Sequence, residues 1–569
     1  MKKTAIAGAA LLVLVSLAAG AQADETMVNL AFNRYYDHAE LGDALRRLHE
    51  AFPELTRLES VGFSYQGREL WLMTISNPAT GPELRKPAIY IDGNVHGNEV
   101  QASEVCLYAL WYLLENYGDN ERVAALVDRA VFYVLPSVNP DGRDFWLHEP
   151  NTPNTSRSGQ RPVDDDRDGL FDEDGPDDLD GDGSITMMRR RDPAGRFKLD
   201  PRDPRLMVMA EPGEEGGWEL LGNEGIDNDG DGVVNEDPTG YYDMNRNWGF
   251  NWMPNYIQTG AGEYPYSHPE TRSINEFLLA HPNILAVQSF HNSGGMILRG
   301  PGAKNLGEYP FADVRVYDYL GERGERMLTG YDYLISYKDL YTVYGGFLDW
   351  CYRSLGAFAF TNELYRDEQE DVDGEEGVDE HERLRFDDYL RFGAGYREWE
   401  PYDHPTYGAI EIGGWTKMTQ RVPPPWLLEE LCHRNAAFTI FHAESLPLLR
   451  FRDVEVERLD SGLFRVAAAV ANEQAIPTRS AQAVQNRLGR PDIAMIEGDD
   501  VEIISAGTVT DRYHNVVDAQ ELDLARLRVP ALGGMSEVRL QWIVRGGGDA
   551  VIVYDSQKGG RIEREIELR

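Results

Sequence analysis

The chain has 569 residues and is strongly acidic, with 96 Asp and Glu against 55 Lys and Arg and a formal net charge of −41. A net charge of this sign argues against binding to a nucleic-acid backbone, which needs clustered Lys and Arg. With 42% hydrophobic and 11% aromatic residues, the chain can build packed cores, and it is too long for one ordinary domain.

The first residues have the pattern of a secretory signal peptide. Lys2 and Lys3 precede an apolar run that ends near Ala19, and residues 21–23 (Ala-Gln-Ala) fit the small-x-small cleavage pattern. The apolar run is short for a membrane-spanning helix, so no stable membrane anchor is expected. We therefore predict that residues 1–23 are a cleaved signal and that the protein is secreted or periplasmic.

Helix-like and strand-like patterns alternate from about Leu30 onward. Residues 87–91 and 131–135 have the composition of buried strands, and residues 104–116 between them have helical periodicity. This order predicts an α/β domain over residues 24–448, with crossover helices on an open sheet. Two acidic stretches, at about 150–240 and 366–400, interrupt it as insertions.

The last part of the chain has a different texture. From residue 449 to residue 569, short runs of alternating apolar and polar residues are separated by Gly and Asp, which predicts an all-β sandwich domain.

The three cysteines, Cys106, Cys351 and Cys432, have apolar or aromatic neighbours and lack zinc-site spacing. They are expected to be buried free thiols, with one disulfide bridge as the alternative.

A metal-binding pattern follows the first strong strand, in the segment DGNVHGNE at residues 92–99. His96 and Glu99 are three residues apart at a strand end and can both point at one metal ion. Zinc favours nitrogen and oxygen ligands of this kind, and a catalytic zinc needs three protein ligands. The pair alone is a weak signal.

Further motifs follow in a fixed order, and together they resemble one known family. They are NPDG (139–142), DMNRNW (243–248), SFH (289–291), YTVYGGFLDW (341–350) and FTNEL (360–364). With the His-x-x-Glu segment they resemble the zinc metallocarboxypeptidases of the carboxypeptidase A and B type, over about residues 30–444 apart from the insertions. The resemblance implies a mixed open α/β sheet with helices on both faces. It also implies hydrolysis of the C-terminal peptide bond by zinc-activated water.

The resemblance implies roles for individual residues. His96, Glu99 and His291 would hold the zinc at the carboxyl ends of strands. Glu363 would be the general base, which takes a proton from the water and later passes it to the leaving amine. Glu411, in the segment AIEIGG, is the alternative base, but Glu363 has the spacing that the family pattern requires.

Substrate recognition is implied by the same motifs. Asn245 and Arg246 would grip the terminal carboxylate of a peptide or protein, and Tyr341 would close over it. Leu348 lies where the family has the base of the pocket for the last substrate residue. A leucine there offers no partner to a cationic side chain, so we predict a preference for apolar or aromatic C-terminal residues.

One family role is difficult to assign from the sequence. A further arginine polarises the scissile carbonyl and lies between the NPDG and DMNRNW segments, where the first insertion falls. Arg189 is the candidate, and Arg157 and Arg161 are alternatives.

The first insertion repeats an Asp-rich pattern three times. Alternating carboxylates followed by a Gly turn are typical of calcium loops, although the position-12 Glu of an EF-hand is missing. The alternative is a solvated acidic linker. We predict calcium as a second cofactor, with ligands from Asp164, Asp166, Asp168, Asp178, Asp180, Asp182, Asp227, Asp229 and Asp231.

Two other functions remain open at the level of sequence. A zinc amidase or deacylase on the same scaffold would keep the zinc ligands without needing Asn245, Arg246 and Tyr341 together. A calcium-dependent binding protein with an inactive peptidase fold would not need Glu363. The presence of all these residues favours a carboxypeptidase.

Overall fold

The computed structural model describes residues 26–164, 167–240, 242–366 and 378–569. The predicted signal peptide, Asp166 and residues 367–377 of the second acidic stretch therefore lie outside the described residues. Within the described ranges, no helix is long and apolar enough to cross a membrane.

Helices form where apolar residues recur at helical spacing, and side chains cap several of them. The Asp37 carboxylate accepts a hydrogen bond from the Glu40 amide, and Glu40 accepts one from the Asp37 amide, which is a capping box. The helices are α1 (His38–Ala51), α2 (Gln101–Glu115), α3 (Glu121–Arg129), α4 (Pro140–His148), α5 (Pro269–Ala280), α6 (Phe311–Met327), α7 (Phe347–Trp350), α8 (Glu380–Phe386), α9 (Pro425–Glu444) and α10 (Ala481–Gln485).

The strands of the α/β domain and its insertions are β1 (Thr56–Phe63), β2 (Glu69–Ile75), β3 (Ala88–Gly93), β4 (Val131–Leu135), β5 (Met187–Arg191), β6 (Phe197–Leu199), β7 (Met207–Met209), β8 (Trp218–Asn223), β9 (Ile284–Asn292), β10 (Met296–Arg299), β11 (Asp332–Ile335), β12 (Phe358–Leu364), β13 (Tyr396–His404) and β14 (Gly408–Trp415). The C-terminal strands are β15 (Leu449–Asp460), β16 (Leu463–Asn472), β17 (Asp492–Glu497), β18 (Val501–Asp511), β19 (Val516–Ala519), β20 (Leu527–Val529), β21 (Ser536–Gly546), β22 (Gly548–Ser556) and β23 (Gly560–Leu568).

The α/β domain is built on a mixed sheet. Its described strands have the order β1-β2-β4-β3-β9-β12-β10-β11. The central strands β4, β3, β9 and β12 are parallel, and antiparallel neighbours flank them. Residues of α1, α2, α3, α6 and α9 form the core on one face, and residues of α5 and α7 contribute to the core on the other. The prediction of a mixed α/β sheet with helices on both faces is confirmed.

The first acidic insertion and the chain from residue 396 to residue 415 form a second sheet that was not predicted. The strands of this sheet have the order β13-β14-β5-β8-β6-β7. Strand β14, which lies beyond the predicted end of the second insertion at about residue 400, pairs antiparallel with β5 of the first, so that Glu411 lies opposite Arg189. The first insertion and strands β13 and β14 are therefore one structural unit.

The C-terminal residues form the predicted β-sandwich. One sheet has the order β15-β16-β21-β18-β19 and the other β20-β17-β22-β23, and a shared apolar core that includes Trp542 and Tyr554 lies between them. The sandwich contacts the α/β domain: the Lys558 ammonium donates hydrogen bonds to the carbonyls of Ile284 (2.5 Å) and Leu355 (2.8 Å). The three cysteines are buried and free, as expected.

Candidate active site

The site lies at the carboxyl ends of three neighbouring parallel strands. β3 ends at Gly93, opposite Phe290 of β9, and His291 is the next residue of that strand. Glu363 of β12 lies opposite His291 in the parallel register. The strand order thus brings the loop that follows β3, the end of β9 and the end of β12 to one edge of the sheet, where open α/β folds bind ligands.

The loop between β3 and α2 has a conformation that its sequence dictates. Asn94 adopts a left-handed backbone conformation (φ 56°), which Asn tolerates better than most residues. Its side-chain amide donates to the carbonyls of His96 (2.8 Å) and Gly97 (3.2 Å). A Cβ on Gly97 would lie 2.5 Å from the Ser156 carbonyl oxygen, so only glycine allows this close approach.

Three buried side chains converge in this loop and on β9. His96 and Glu99 come from the loop, and His291 comes from the strand. The two Nδ1 atoms are 3.3 Å apart, and they lie 2.9 Å (His96) and 3.0 Å (His291) from the two Glu99 carboxylate oxygens. One ligand atom from each residue lies within 4.8 Å of the others. Two nitrogens and one oxygen on three separate positions are the donor set of a catalytic zinc.

Asp243 orients one of these histidines. Its Oδ1 is 3.0 Å from His96 Nε2, the ring nitrogen that faces away from the convergence point. Such a carboxylate fixes the tautomer and the ring orientation of a metal-binding histidine. Burial opposes ionisation of Asp243, but His96, Arg246 and Arg157 hold its pKa well below the usual range. Asp243 was not among the predicted site residues, although it begins the DMNRNW motif.

Two arginines that the motifs did not single out approach Glu99. Arg157 lies 3.4 Å from Glu99 Oε1 through Nη1 and 3.2 Å from Asp243 Oδ2 through Nε. Arg421 lies 3.7 Å from the same Glu99 oxygen and donates hydrogen bonds to the Asn292 carbonyl (2.7 Å) and side chain (2.9 Å). The site therefore carries positive charge at its rim.

The structure does not bring Arg189, the sequence-based candidate for the carbonyl-polarising role, to this site. Its guanidinium lies over the rings of Trp218 (4.5 Å) and Trp399 (4.1 Å) and pairs with Glu411 at 2.7 Å in the insertion sheet. That pairing follows from the β5–β14 register, and it also occupies Glu411, the alternative general base. The expectation for Arg189 is corrected: of the three candidates, Arg157 reaches the site, and Arg161 instead pairs with Glu263.

The predicted general base lies opposite His291 in the sheet. Glu363 is partly exposed at the site, and burial raises the pKa of its carboxyl group, while the nearby His291 lowers it. Glu99 raises this pKa further, and His96 and Arg157 lower it.

One of the predicted substrate-binding residues, Arg246, lines a cavity beside the cluster. This cavity has a volume of about 450 Å³, and Arg157 and Asp243 also line it. Arg246 is 7% exposed, and Asn245 fixes the neighbouring segment by accepting a hydrogen bond from the Phe347 amide (2.9 Å). Tyr341 is 49% exposed.

Leu348 lies on the short helix α7 and packs, half-buried, against an apolar cluster that includes Trp248 and Phe347. The residues that Leu348 packs against are therefore apolar.

The Asp-rich loops form carboxylate groups that could hold metal ions. Six of the predicted residues belong to such groups, namely Asp168, Asp178, Asp180, Asp227, Asp229 and Asp231. Each group also includes a residue that the loop pattern did not identify, from the set Glu173, Asp174, Glu224 and Glu236. Asp164 and Asp182 belong to none of them in the described part of the chain; Asp182 pairs with Arg397 instead.

Curated relatives match a limited part of the chain. Carboxypeptidase D of Rattus norvegicus is 34% identical over 133 residues, which are 23% of this chain and 10% of that protein. Carboxypeptidase Z of Homo sapiens is 34% identical over 142 residues, 24% of this chain and 22% of that protein. The matched segments thus span a quarter or less of these relatives.

Solved structures match more of the chain at lower similarity. The crystal structure of thrombin activatable fibrinolysis inhibitor has 17% identity and a TM-score of 0.44, and the match covers 73% of this chain and 74% of that one. Carboxypeptidase A from Helicoverpa armigera has 18% identity and a TM-score of 0.44, covering 75% and 77%.

Family models cover most of the chain. Residues 448–567 match a domain family of unknown function. Residues 41–186 and 223–376, more than half of the chain, match the zinc carboxypeptidase model of the M14 peptidases, and these ranges contain His96, Glu99, His291 and Glu363. The chain therefore belongs to the M14 zinc carboxypeptidase family.

Proposed function

We propose that the protein is an exported zinc metallocarboxypeptidase that removes the last residue of peptides or proteins with a free C-terminal carboxylate. The observation that carries the proposal is the convergence of His96, Glu99 and His291 beside Glu363 and a cavity lined by Arg246. Export is supported by the signal-peptide pattern of residues 1–23.

The residues present fit a zinc ion. The Glu99 carboxylate is buried, and its two oxygens lie 2.9 Å and 3.0 Å from the Nδ1 atoms of His96 and His291, while Arg157 and Arg421 approach Oε1. One carboxylate and two imidazoles whose donor atoms converge in this way match the ligand set of a catalytic zinc. His96, Glu99 and His291 would hold zinc, which when bound supplies Lewis-acid chemistry and lowers the pKa of water.

Glu363 would move the proton. Its carboxylate would accept a proton from the attacking water and then donate it to the amine of the departing residue. Its raised pKa suits both steps, because a carboxyl group that holds its proton more tightly is a better acceptor and still releases it to an amine. Asp243 would keep the His96 ring in place during this cycle.

Arg157 would stabilise the oxygen of the scissile carbonyl as it gains negative charge. Its side chain is 38% exposed, so part of the guanidinium is open to a substrate, while Asp243 and Glu99 hold the rest. Fixed donors aimed at developing charge are commonly the largest single contribution to catalysis.

Arg246, Asn245 and Tyr341 would bind the substrate carboxylate. The Arg246 guanidinium lies in the cavity wall, where a forked, charge-assisted pair with a carboxylate is strong. The exposed Tyr341 can close over the bound end. Leu348 and its aromatic neighbours favour apolar or aromatic side chains at the last substrate residue.

We also propose calcium as a second cofactor of the Asp-rich loops. The support is that the described loop carboxylates fall into groups with ligand atoms within 4.8 Å of one another. Oxygen-only groups of this kind suit calcium rather than zinc.

The test is product analysis on matched peptides. Each peptide is offered with a free and with an amidated C-terminus, and the products are identified by mass spectrometry. A carboxypeptidase releases the last residue of the free form and cleaves the amide at least tenfold more slowly. Equal cleavage of both forms would indicate the amidase alternative, and binding of calcium with no cleavage of any peptide by zinc-loaded protein would indicate an inactive binding protein.

A further inference from the structure

Two segments of the first insertion share one pattern and lie side by side. Residues 164–174 and 227–237 both read Asp-x-Asp-x-Asp-Gly followed by a Glu-Asp pair. The two pairs, Glu173-Asp174 and Glu236-Asp237, are aligned because Asp174 and Asp237 form an antiparallel β-bridge. Each glutamate lies beside the bridged aspartate of the other segment.

Carboxylates of both segments converge on Asp229. It belongs to three overlapping groups whose ligand atoms lie within 4.8 Å of one another. We call the combined set the Asp229 cluster: Asp168, Glu173, Asp174, Asp227, Asp229, Asp231 and Glu236.

An independent observation separates this cluster from a solvated acidic surface. Asp174 is wholly buried, and its Oδ2 has no hydrogen-bond donor, although Oδ1 accepts from the Asn228 amide at 3.2 Å. Both carboxylate oxygens of Glu173 and of Glu236 are likewise buried without a donor. A buried ionised carboxylate is unfavourable unless a cation or a hydrogen-bond donor compensates its charge.

The glutamates face carboxylates rather than donors. Glu236 lies within hydrogen-bonding reach of Asp174, and Glu173 within reach of Asp237. Burial, together with Asp174, raises the pKa of Glu236 to about 7. Acceptors that face acceptors need a proton or a metal ion between them, and at neutral pH a hard divalent cation satisfies several of them at once.

The cluster adjoins the wall of the substrate cavity. Gly175 and Pro176 follow Asp174, Pro238 and Thr239 follow Asp237, and all four line the cavity that contains Arg157 and Arg246. The position of the bridged aspartates therefore determines the position of this part of the wall.

A second connection leads to Arg157. The Gly240 amide donates to Asp172 Oδ1 at 3.2 Å, and the Gly240 carbonyl accepts a hydrogen bond from the hydroxyl of Ser158, the neighbour of Arg157. Displacement of the cluster segments would thus move the chain next to the arginine that approaches Glu99.

We propose that calcium binds at the Asp229 cluster and that this binding holds the cavity wall in its substrate-accepting position. Glu173, Asp174 and Glu236 are ligands of this site in addition to the aspartates of the loop pattern. Without the cation, repulsion among the carboxylates would loosen both segments, and the protein would bind peptides poorly while it keeps its zinc. The catalytic part of this inference rests on the proposed carboxypeptidase function, and the binding part does not.

The test uses the full mature chain, freed of metal ions by a chelating resin and reloaded with one equivalent of zinc. Calcium chloride is titrated into this protein by calorimetry, and thermal melts are recorded with and without calcium. We expect saturable binding and a rise of about 5 °C in Tm at saturation. KM for a peptide substrate should fall at least fivefold. Magnesium chloride in the same titration should produce a much smaller shift, because it retains its water and demands stricter geometry.

Two variants and one control assign the site. Asp229→Asn should abolish calcium binding, and Glu236→Gln should weaken it at least tenfold while raising the calcium-free Tm, because it removes repulsion. Asp119→Asn, an exposed aspartate outside the insertion, should behave as the wild type. The calorimetry requires no peptide cleavage, so calcium binding is measured even if the proposed carboxypeptidase function is wrong. Absence of binding heat and of any Tm shift would overturn the site, and binding without a change in KM would overturn the coupling to the cavity.

Discussion

Replacing Arg157 and Arg189 in turn tests which of these two arginines polarises the scissile carbonyl. Arg157→Met removes a guanidinium 3.4 Å from Glu99 and 3.2 Å from Asp243, whereas Arg189→Met removes one that lies between two tryptophans and pairs with Glu411. Loss of a donor to a developing oxyanion costs about 3 kcal/mol of transition-state stabilisation, or about 10²–10³-fold in kcat/KM. We expect that loss for Arg157→Met and a change below about threefold for Arg189→Met.

The assay must distinguish catalysis from metal retention, since Arg157 also contacts Glu99. Zinc content is measured for each variant, and kcat/KM is determined at increasing zinc concentrations. Arg157→Lys serves as the conservative variant, because it keeps the charge and loses the forked geometry. Full recovery of Arg157→Met by excess zinc would reduce its role to positioning Glu99, and a 10²-fold loss in Arg189→Met with normal Arg157→Met activity would refute our assignment.

Three further predictions concern the base, the specificity pocket and the pH dependence of stability. Glu363→Gln should keep one zinc per chain and lose at least ~10²-fold in kcat, so near-normal turnover would exclude it as the base. Peptides ending in Phe or Leu should have higher kcat/KM than matched peptides ending in Lys or Arg, and Leu348→Asp should narrow or invert that order; faster cleavage of the basic peptides by the wild type contradicts the pocket assignment. Glu270 is 1% exposed, and burial raises its pKa to about 7. The folded state therefore binds this proton more tightly than the unfolded state, and the free energy of unfolding falls as the pH rises from about 4.5 to about 7. At pH 8 the free energy of unfolding of Glu270→Gln should exceed that of the wild type by roughly 2 kcal/mol, measured by denaturant unfolding, and equal midpoints would mean that this glutamate is solvated.

The sheet and the positions of His96 and Glu99 could be anticipated because both depend on short stretches of sequence. Apolar runs at residues 87–91 and 131–135 mark buried strands, and polar residues directly after a strand must lie at its carboxyl edge. His96 and Glu99 lie in the loop after β3, whereas His291 lies within β9 and was expected from the resemblance to the family. Asp243 could have been found by the same reasoning, because it starts a motif that already contributed Asn245.

Arg157 could not be assigned because its position depends on contacts between distant segments. The Gly97 amide donates to the Arg157 carbonyl at 3.0 Å, and the missing side chain of Gly97 allows the approach of Ser156. The spacing between family motifs cannot be used across an insertion of unknown length. Among the arginines of the insertion, the run at residues 189–191 is more conspicuous in the sequence than the isolated Arg157. The Glu-Asp pairs at 173–174 and 236–237 could have been identified from the sequence, since they recur at the same offset after two of the three Asp-rich loops.

The register between β5 and β14 has a consequence for attempts to make a smaller enzyme. Residues 189 and 411 are 222 positions apart in the chain but are cross-strand neighbours, so β5 of the first insertion and β14, just beyond the second, each cover a sheet edge of the other. A deletion that trims one of them would leave an open row of backbone donors and acceptors, which is a template for association between molecules. It would also strand the Arg189 guanidinium or the Glu411 carboxylate without its partner. A minimal version of this protein must therefore lose the first insertion together with strands β13 and β14, or keep all of them.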